Sequence, residues 1–330
     1  MNPLVSVIIS TYNSEFFIKG KIEDLLNQSI FEKLEIIIIN SGSEQKEDEI
    51  ITPYTEKYKN IISIRTKDRE TIYKAWNRGI RIAHGKYITN SNTDDRLRYD
   101  ALEILSSVLE SNSEIGMVYA DQYVTSVPNE SYSAKTKHKV LKHLNYSKIL
   151  LLSEYLAGPQ SMWQSKIHFR DNIWFNEEYE VAGDYDFVLQ VSEKYILKRV
   201  PGILGSYYKS NNNSNKEYQD IESTVKEVSE IQLKYIRRYI TLLSFNKLKS
   251  LSFLIRIVYS LPSVVLRSFR LVLRKLNSRF QIPSLITWIV IGSVIEENKG
   301  SIGNAIKYCK RYSGKSNYLL TNQYEHLLKL

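Results

Sequence analysis

Short apolar runs alternate with amphipathic stretches over the first 120 residues. Five runs have the length and β-branched composition of strands: Leu4–Ser10, Leu34–Asn40, Ile61–Thr66, Tyr87–Thr89 and Gly116–Asp121. Helical spacing of apolar residues lies between them, as in Thr71–Ala83. Repeated strand–helix–strand units with right-handed crossovers predict an α/β fold, in which a doubly wound, mostly parallel sheet carries helices on both faces.

The pattern changes after Tyr123. It weakens up to about Lys166, which indicates antiparallel or irregular structure. A helix is predicted over Asp184–Lys194. The segment Ile196–Ser210 predicts two strands joined by a turn at Pro201-Gly202, because these two residue types favour turns.

Helical patterns continue to the C-terminus. Residues 216 to about 243 predict a long amphipathic helix, and the remaining residues predict further helices without repeats. We therefore predict two parts, an α/β domain over residues 1–215 and a helical C-terminal region over residues 216–330.

The net charge of +9 is concentrated in one part of the C-terminal region. Residues 246–295 contain eight Lys or Arg and no Asp or Glu. As a helix, Leu261–Leu276 would place apolar residues on one face and arginines on the other. This pattern is typical of a helix that lies on an anionic membrane, and also of a surface helix packed on a core. We favour the membrane surface, and we expect no nucleic-acid partner because no binding motif accompanies the charge.

Several common kinds of site are not predicted. The residues after the first strand, STYNSEFFIKG, lack the glycines of a dinucleotide-binding loop, and no P-loop sequence occurs. Cys309 is the single cysteine, so neither an internal disulfide nor a zinc cluster is expected. The nucleophile elbow of hydrolases is absent. Because no signal peptide or long apolar run is evident, we expect a cytoplasmic protein.

Polar and acidic residues follow four of the predicted strands, in the segments Ser10–Asn13, Asn40–Ser43, Thr66–Glu70 and Asn90–Asp95. In a doubly wound sheet the carboxyl ends of the strands line one crevice, where ligands bind. Asp94 and Asp95 end the last of these segments. They would either cap a turn or hold a divalent metal ion together with substrate phosphates.

Asp184 belongs to a second acidic group. It follows Gly183 and opens the predicted helix. A first-turn acid stabilises the helix dipole, whereas a carboxylate that faces a substrate can act as a general base. The residues alone leave both interpretations open.

Four segments resemble, in order and spacing, the signature blocks of family 2 glycosyltransferases: VSVIISTYN, EIIIINSGS, AWNRGIRIAHGKYITNSNTDDR and AGDYDFVLQVS. The resemblance covers roughly residues 4–210, and the N-T-D-D-R block resembles a subgroup in which it replaces the more common D-x-D-D. It implies a GT-A fold, a nucleotide-sugar donor, Mn²⁺ or Mg²⁺ as cofactor, and inversion at the anomeric carbon.

The resemblance also implies roles for individual residues. It places the catalytic base at Asp184, the metal ligands at Asp94 and Asp95, and acceptor-side contacts at Gln160 and Trp163, with packing as the alternative for Trp163. The implied nucleotide-binding residues are Ser10, Thr11, Tyr12, Asn40, Asn77, Thr93 and Asp94.

Some positions depart from the family pattern. Asn40 and Ser41 replace acids that usually contact the nucleoside, and Asn92 replaces the first acid of the metal motif. Trp76 replaces an arginine and is expected to be buried. Lys209 lies near a position where many members have a histidine on the diphosphate, and a solvated lysine is the alternative.

We predict from these features an inverting enzyme that adds one sugar to a glycan or lipid-linked acceptor, in bacterial surface polysaccharide synthesis. The membrane spans and Q-x-x-R-W motif of processive members are absent. A catalytically inactive module that binds a sugar nucleotide or a partner enzyme is the main alternative, because of the changes at Asn40, Ser41 and Asn92. A nucleotidyltransferase is less favoured, since it would need a glycine-rich basic loop after the first strand.

Overall fold

A computed structural model describes residues 2–134, 139–143, 145–146, 148, 151, 155–158 and 160–210. Beyond them it describes Thr224, Glu227, Val228, Glu230, Ile231, Lys234 and Tyr235. The basic segment Leu261–Leu276 and most of the predicted C-terminal helical region lie outside these residues. The division at residue 215 therefore stays a prediction. In the described part of the chain, no helix is long and apolar enough to span a membrane.

Nine strands of the described chain form one sheet, in the order β3-β2-β1-β4-β8-β6-β9-β5, with β7 paired to β6. Their bounds are β1 Val5–Thr11, β2 Leu34–Asn40, β3 Ile61–Arg65, β4 Tyr87–Asn90, β5 Arg96–Leu97, β6 Ile115–Thr125, β7 Lys139–Leu141, β8 Ser161–Gln164 and β9 Ile196–Tyr208. Strands β3, β2, β1 and β4 are parallel, as predicted.

The second half of the sheet is mixed. β8 is antiparallel to both β4 and β6, whereas β6 and β9 are parallel. The prediction of a turn at Pro201-Gly202 is wrong, because β9 is one strand of 13 residues. Val200 pairs with Ala120 and Ile203 pairs with Asp121, so Pro201 and Gly202 have no paired residues on β6. Gly202 has φ +114°, so the pair forms a bulge that keeps the strand on β6.

Helices cover both faces of the sheet. Their bounds are α1 Glu15–Leu26, α2 Glu47–Lys57, α3 Ile72–Arg81, α4 Ala101–Ser111, α5 Lys166–Phe169 and α6 Gly183–Lys194. On one face, Val7 and Ile9 pack in a core that includes Ile18 of α1 and Leu105 of α4. On the other face lies α3, where the backbone at Gly79 faces the side chain of Ile8. Successive residues of β1 thus serve opposite cores, which explains its continuous apolar run.

Gly79 allows α3 to lie close to the sheet. A Cβ at this position would lie 2.6 Å from Cγ2 of Ile8, and Ile8 is fully buried. We expect Gly79→Val to lower the free energy of unfolding by about 1–3 kcal/mol through overpacking. Urea unfolding checks this, with Lys74→Val on the exposed face of α3 as the control. Equal stability of the two variants would contradict the close packing.

Candidate active site

The carboxyl ends of the parallel strands lie side by side, as expected. Thr11 at the end of β1 is in register with Asn40 at the end of β2. The backbone N–H of Ser41 donates to the carbonyl of Thr11, and that of Ser91 donates to Ile8. The polar segments that follow these strands therefore border one edge of the sheet.

Asn40 is fully buried, and its side chain organises the loop after β2. Its Nδ2 donates to Oδ1 of Asp48 at 2.7 Å, and its Oδ1 accepts from the backbone N–H of Ser43 at 3.0 Å. The hydroxyl of Ser41 accepts from the backbone N–H of Glu70 at 2.6 Å, which ties this loop to the one after β3. The predicted nucleoside contact of Asn40 stays a prediction, and the geometry gives the residue a role in supporting the loop.

An arginine lies over the ring of Tyr12, and the sequence analysis did not include it among the site residues. The guanidinium of Arg69 lies 4.2 Å from the centre of the Tyr12 ring, and Arg69 is exposed. Thr11 is buried beside them, and its hydroxyl has no hydrogen-bond partner within residues that the structure describes. Its position in Thr66–Glu70, one of the four strand-end segments, could have predicted that Arg69 lies near the site. An arginine above a tyrosine ring is an arrangement suited to a planar or anionic ligand.

Asp94 and Asp95 follow β4 in a turn that holds both carboxylates away from solvent. Oδ1 of Asp95 accepts from the backbone N–H of Tyr208 at 3.0 Å, and its Oδ2 accepts from Nδ2 of Asn92 at 3.2 Å. Asp95 is buried and Asp94 is half-buried. Burial raises the pKa of both carboxyls, and the neighbouring Asp94 raises that of Asp95 further.

Two buried cations accompany the acids. Lys21 of α1 is fully buried, with its Nζ 3.4 Å from Oδ2 of Asp24. Arg96 donates to the carbonyls of Thr93 and Asp95 at 2.8 and 2.7 Å, so the backbone of Thr93 is held in the turn. Burial lowers the pKa of Lys21 and that of Arg96, while the nearby aspartates oppose both shifts. A Cβ on Gly20 would lie 2.5 Å from Nη2 of Arg96, so this glycine gives the guanidinium its space.

The acid pair fits a divalent metal as a partial site. Carboxylate oxygens are the ligands that Mg²⁺ and Mn²⁺ prefer, and such sites often use one or two carboxylates and leave the remaining positions to water and substrate phosphates. Among residues that the structure describes, no group of three or more His, Cys, Asp or Glu could hold a metal ion by itself. Asp94 and Asp95 would thus leave the remaining coordination positions to water and to a phosphate-bearing ligand.

Asp184 lies in the first turn of α6. Its Oδ1 accepts from the backbone N–H of Tyr185 at 2.8 Å. Tyr73 of α3 reaches this region, where its hydroxyl donates to the carbonyl of Val181 and its ring packs against Gly183. Burial, and then the charge of Asp184, raise the pKa of Tyr73. The start of α6 is therefore anchored to α3.

Asn77 contributes to the same anchor. Its Nδ2 donates to the carbonyl of Phe175 at 2.8 Å and to Glu177 at 2.9 Å, and its Oδ1 accepts from the N–H of Phe175 at 3.2 Å. Trp76 is buried against Phe175, as expected. The predicted nucleotide contact of Asn77 is untested, and its hydrogen bonds are those of a residue that holds the segment before α6.

The two predicted acceptor-side residues have different surroundings. Trp163 is buried in β8 among aromatic rings that include Phe187, and its indole N–H donates to Nε2 of His168 at 2.7 Å. These contacts match the packing alternative. Gln160 is also buried, yet neither its Oε1 nor its Nε2 has a hydrogen-bond partner in the described chain. A buried carboxamide without a partner is one that a bound hydroxyl or water would satisfy.

Comparison with known proteins gives consistent matches. A family model described as Glycosyl transferase family 2 matches residues 6–168. An uncharacterized glycosyltransferase of Methanocaldococcus jannaschii is 29% identical over 210 residues, 60% of this chain and 71% of that protein. The chondroitin synthase of Pasteurella multocida is 29% identical over 194 residues, which are 58% of this chain but 19% of the synthase.

A solved structure shares the fold. The mannosyltransferase PcManGT from Pyrobaculum calidifontis, in complex with GDP-Man and Mn²⁺, superposes with a TM-score of 0.53 at 14% identity. The match covers 72% of this chain and 65% of that one. At this identity the likeness concerns the arrangement of the sheet and helices.

The buried acids give the metal-free protein a defined pH dependence. Since the folded pKa values are raised, the folded chain holds protons more tightly than the unfolded chain, and stability falls as pH rises above the ordinary aspartate pKa of about 3.9. We expect Asp95→Asn to remove part of this loss and to gain at least about 1 kcal/mol over wild type between pH 5 and pH 8. Urea unfolding with chelator at both pH values measures it. A stability difference that is the same at both would contradict the raised pKa.

Proposed function

We propose that this chain, which belongs to glycosyl transferase family 2 and is a glycosyltransferase, transfers one sugar from a nucleotide-diphosphate sugar to a hydroxyl of a glycan or lipid-linked acceptor. The observation that carries the proposal is the pair of half-buried Asp94 and buried Asp95 at the carboxyl edge of the sheet, which interacts with the buried cations Lys21 and Arg96. The family, its polysaccharide-synthesising relative and the nucleotide sugar bound by the structural neighbour support this substrate class.

Asp94 and Asp95 would hold Mn²⁺ or Mg²⁺, which when bound would stabilise the diphosphate charge as the nucleotide leaves. Other residues of the protein hold the two acids in place. Arg96 fixes the backbone around the acids, and the N–H of Tyr208 and the amide of Asn92 orient Asp95. Both carboxylates would thus keep their positions before substrate arrives.

We assign the general base to Asp184. From the first turn of α6 its carboxylate would take the proton of the acceptor hydroxyl, whose oxygen attacks the anomeric carbon opposite the leaving diphosphate. Attack from that side inverts the configuration of the sugar. The oxocarbenium-like character of the transition state follows from sugar chemistry.

The donor nucleoside would lie along the strand ends. We place the base against one face of the Tyr12 ring and the ribose near Ser10 and Thr11. Arg69 would either stay on the other face of that ring or reach a phosphate. Thr93 would contact the nucleotide beside Asp94. We further propose that the protein works on the cytoplasmic side of the membrane in surface polysaccharide synthesis, with its basic segment on anionic lipid.

A catalytically inactive module is the second candidate. It is favoured by Asn92, which stands where the family has an acid and donates its amide to Asp95. Both functions would bind a sugar nucleotide, whereas turnover with an acceptor occurs in the enzyme alone.

Calorimetry with UDP, GDP, CDP and dTDP tests the donor site. We expect one nucleotide to bind in the presence of Mn²⁺ and to bind at least about tenfold more weakly with chelator, or with Asp94→Asn or Asp95→Asn. The control is Asp100→Asn, an acid outside the site that pairs with Arg98. Nucleotide affinity that is the same with Mn²⁺, with chelator and in both variants would show that Asp94 and Asp95 only cap a turn.

Turnover tests the enzyme itself. With the bound nucleotide's sugar series and a panel of glycan and lipid-linked acceptors, wild type should release nucleotide and form a glycoside of inverted configuration, read by NMR. Asp184→Asn should lower kcat by about 100-fold or more while nucleotide affinity is unchanged. Transfer at the wild-type rate by Asp184→Asn would contradict the assigned base, and nucleotide binding without transfer would favour the inactive module.

Gln160→Leu separates a substrate contact from a packing role. The amide of Gln160 has no hydrogen-bond partner among the residues that the structure describes, so an apolar side chain of similar size breaks no described bond within the fold. We therefore expect unchanged or higher stability, and kcat/KM for the acceptor about tenfold lower. Gln164→Leu is the matched control, because its amide donates to the carbonyls of Ser113 and Ile115. That variant should lose stability instead, and the same result for both residues would refute a substrate contact of Gln160.

A further inference from the structure

Glu227 contacts the backbone immediately before the helix that carries Asp184. Its Oε1 accepts from the N–H of Glu180 at 2.8 Å, and its Oε2 accepts from the N–H groups of Val181 and Ala182 at 2.9 Å each. One carboxylate thus binds three consecutive backbone donors. Such charge-assisted bonds are about twice as strong as neutral ones.

These three backbone donors lie at the entrance to α6. Gly183 is the first residue of α6, so the N–H groups of Val181 and Ala182 lie just before the first turn of this helix. The N-terminus of a helix carries partial positive charge, which a carboxylate stabilises. The charge of Glu227 therefore favours one conformation of the turn that leads into Asp184.

The same turn is held from a second direction. The hydroxyl of Tyr73 donates to the carbonyl of Val181, and its ring lies against Gly183, where a Cβ would be 2.8 Å from the ring carbons. Tyr73 belongs to α3, while Glu227 lies 59 residues beyond the end of the family match at residue 168. Backbone donors and acceptors of the turn are thus bound by two distant parts of the chain, both within the compact unit that comprises residues 1–146 and 155–228.

We propose that Glu227 is a positioning residue for Asp184, which fixes the entry of α6 so that the carboxylate meets the acceptor hydroxyl at the correct distance. The inference rests on the proposed role of Asp184 as the base. It assigns a function in the reaction to a residue outside the matched family segment. Displacement of a catalytic group by about 1 Å can cost on the order of 100-fold in rate, so loss of this anchor should reduce the rate without affecting the donor site.

Glu227→Gln tests the proposal with almost no change in shape. An amide can keep the two bonds from Val181 and Ala182, but its NH₂ group then faces the N–H of Glu180. Glu178→Gln is the control, because it removes an exposed carboxylate from the same loop. The probe is nucleotide release from UDP-GlcNAc, UDP-Glc and GDP-Man with Mn²⁺, using water and the acceptor panel, together with calorimetric counting of nucleotide-binding sites.

We expect Glu227→Gln to lower kcat per binding site by about tenfold, and Glu227→Ala by more, with donor KM and nucleotide Kd unchanged. Hydrogen exchange at the amides of residues 180–182 should accelerate in both variants and stay at the wild-type rate in the control. A merely structural role would lower the number of binding sites in parallel with the rate, which would leave kcat per site unchanged and overturn the proposal.

Asp184→Asn, measured alongside, separates the two claims. If it is inactive while Glu227→Gln equals the control, the positioning role fails and the assigned base stands. If Asp184→Asn turns over like wild type, the assigned base fails and the positioning role fails with it, while the proposed function stands on the transfer by wild type. If wild type turns over no sugar of the nucleotide that it binds, the proposed function fails, and the positioning role fails with it.

Discussion

Two adjacent carboxylates and two buried cations share one poorly solvated space, and the geometry of the site depends on their balance. Burial of Asp95 beside Asp94 is unfavourable for both negative charges, whereas Lys21 and Arg96 attract them. Buried charges persist in a fold when they are paired and hydrogen-bonded. Here the pairing also joins α1, the turn after β4 and the end of β9, because Asp24 accepts from the N–H of Leu97 and Asp95 from that of Tyr208. A bound divalent cation would relieve the remaining repulsion.

Local patterns predict the first half of the sheet and the place of the site well. The first strands are short segments rich in apolar residues, and each is followed by polar residues, so the α/β architecture and the common edge follow from residues close in sequence. The GT-A fold is confirmed by the solved structures, and the resemblance to family 2 glycosyltransferases is confirmed by the family match over residues 6–168. The prediction of a turn at Pro201-Gly202 is wrong because the dipeptide favours a turn locally, whereas pairing of ten residues of β9 with β6 keeps the strand continuous through a bulge.

The charges beneath the acids could not be predicted in this way. Lys21 and Asp24 have the i, i+3 spacing of an ordinary exposed helix pair, yet Lys21 is fully buried and Asp24 accepts from the N–H of Leu97, 73 residues further along the chain. Similarly, Asn77 lies in a motif block, yet its side chain is engaged by the backbone of Phe175, 98 residues further along the chain. Glu227 has no local signal either, since its three donors precede it by about 45 residues. Long-range hydrogen bonds are what the local pattern omits.

The central claim is that Asp94 and Asp95 hold a metal ion together with the donor's diphosphate. Electron–nuclear double resonance on Mn²⁺ bound to the protein with UDP, GDP, CDP or dTDP tests it directly, because phosphorus couples to the ion only when a phosphate oxygen coordinates it. The account predicts ³¹P coupling from the nucleotide that binds, lost with the protein-bound Mn²⁺ in Asp94→Asn and Asp95→Asn. Mn²⁺ that binds without phosphorus coupling, or with coupling that both substitutions leave intact, would contradict it.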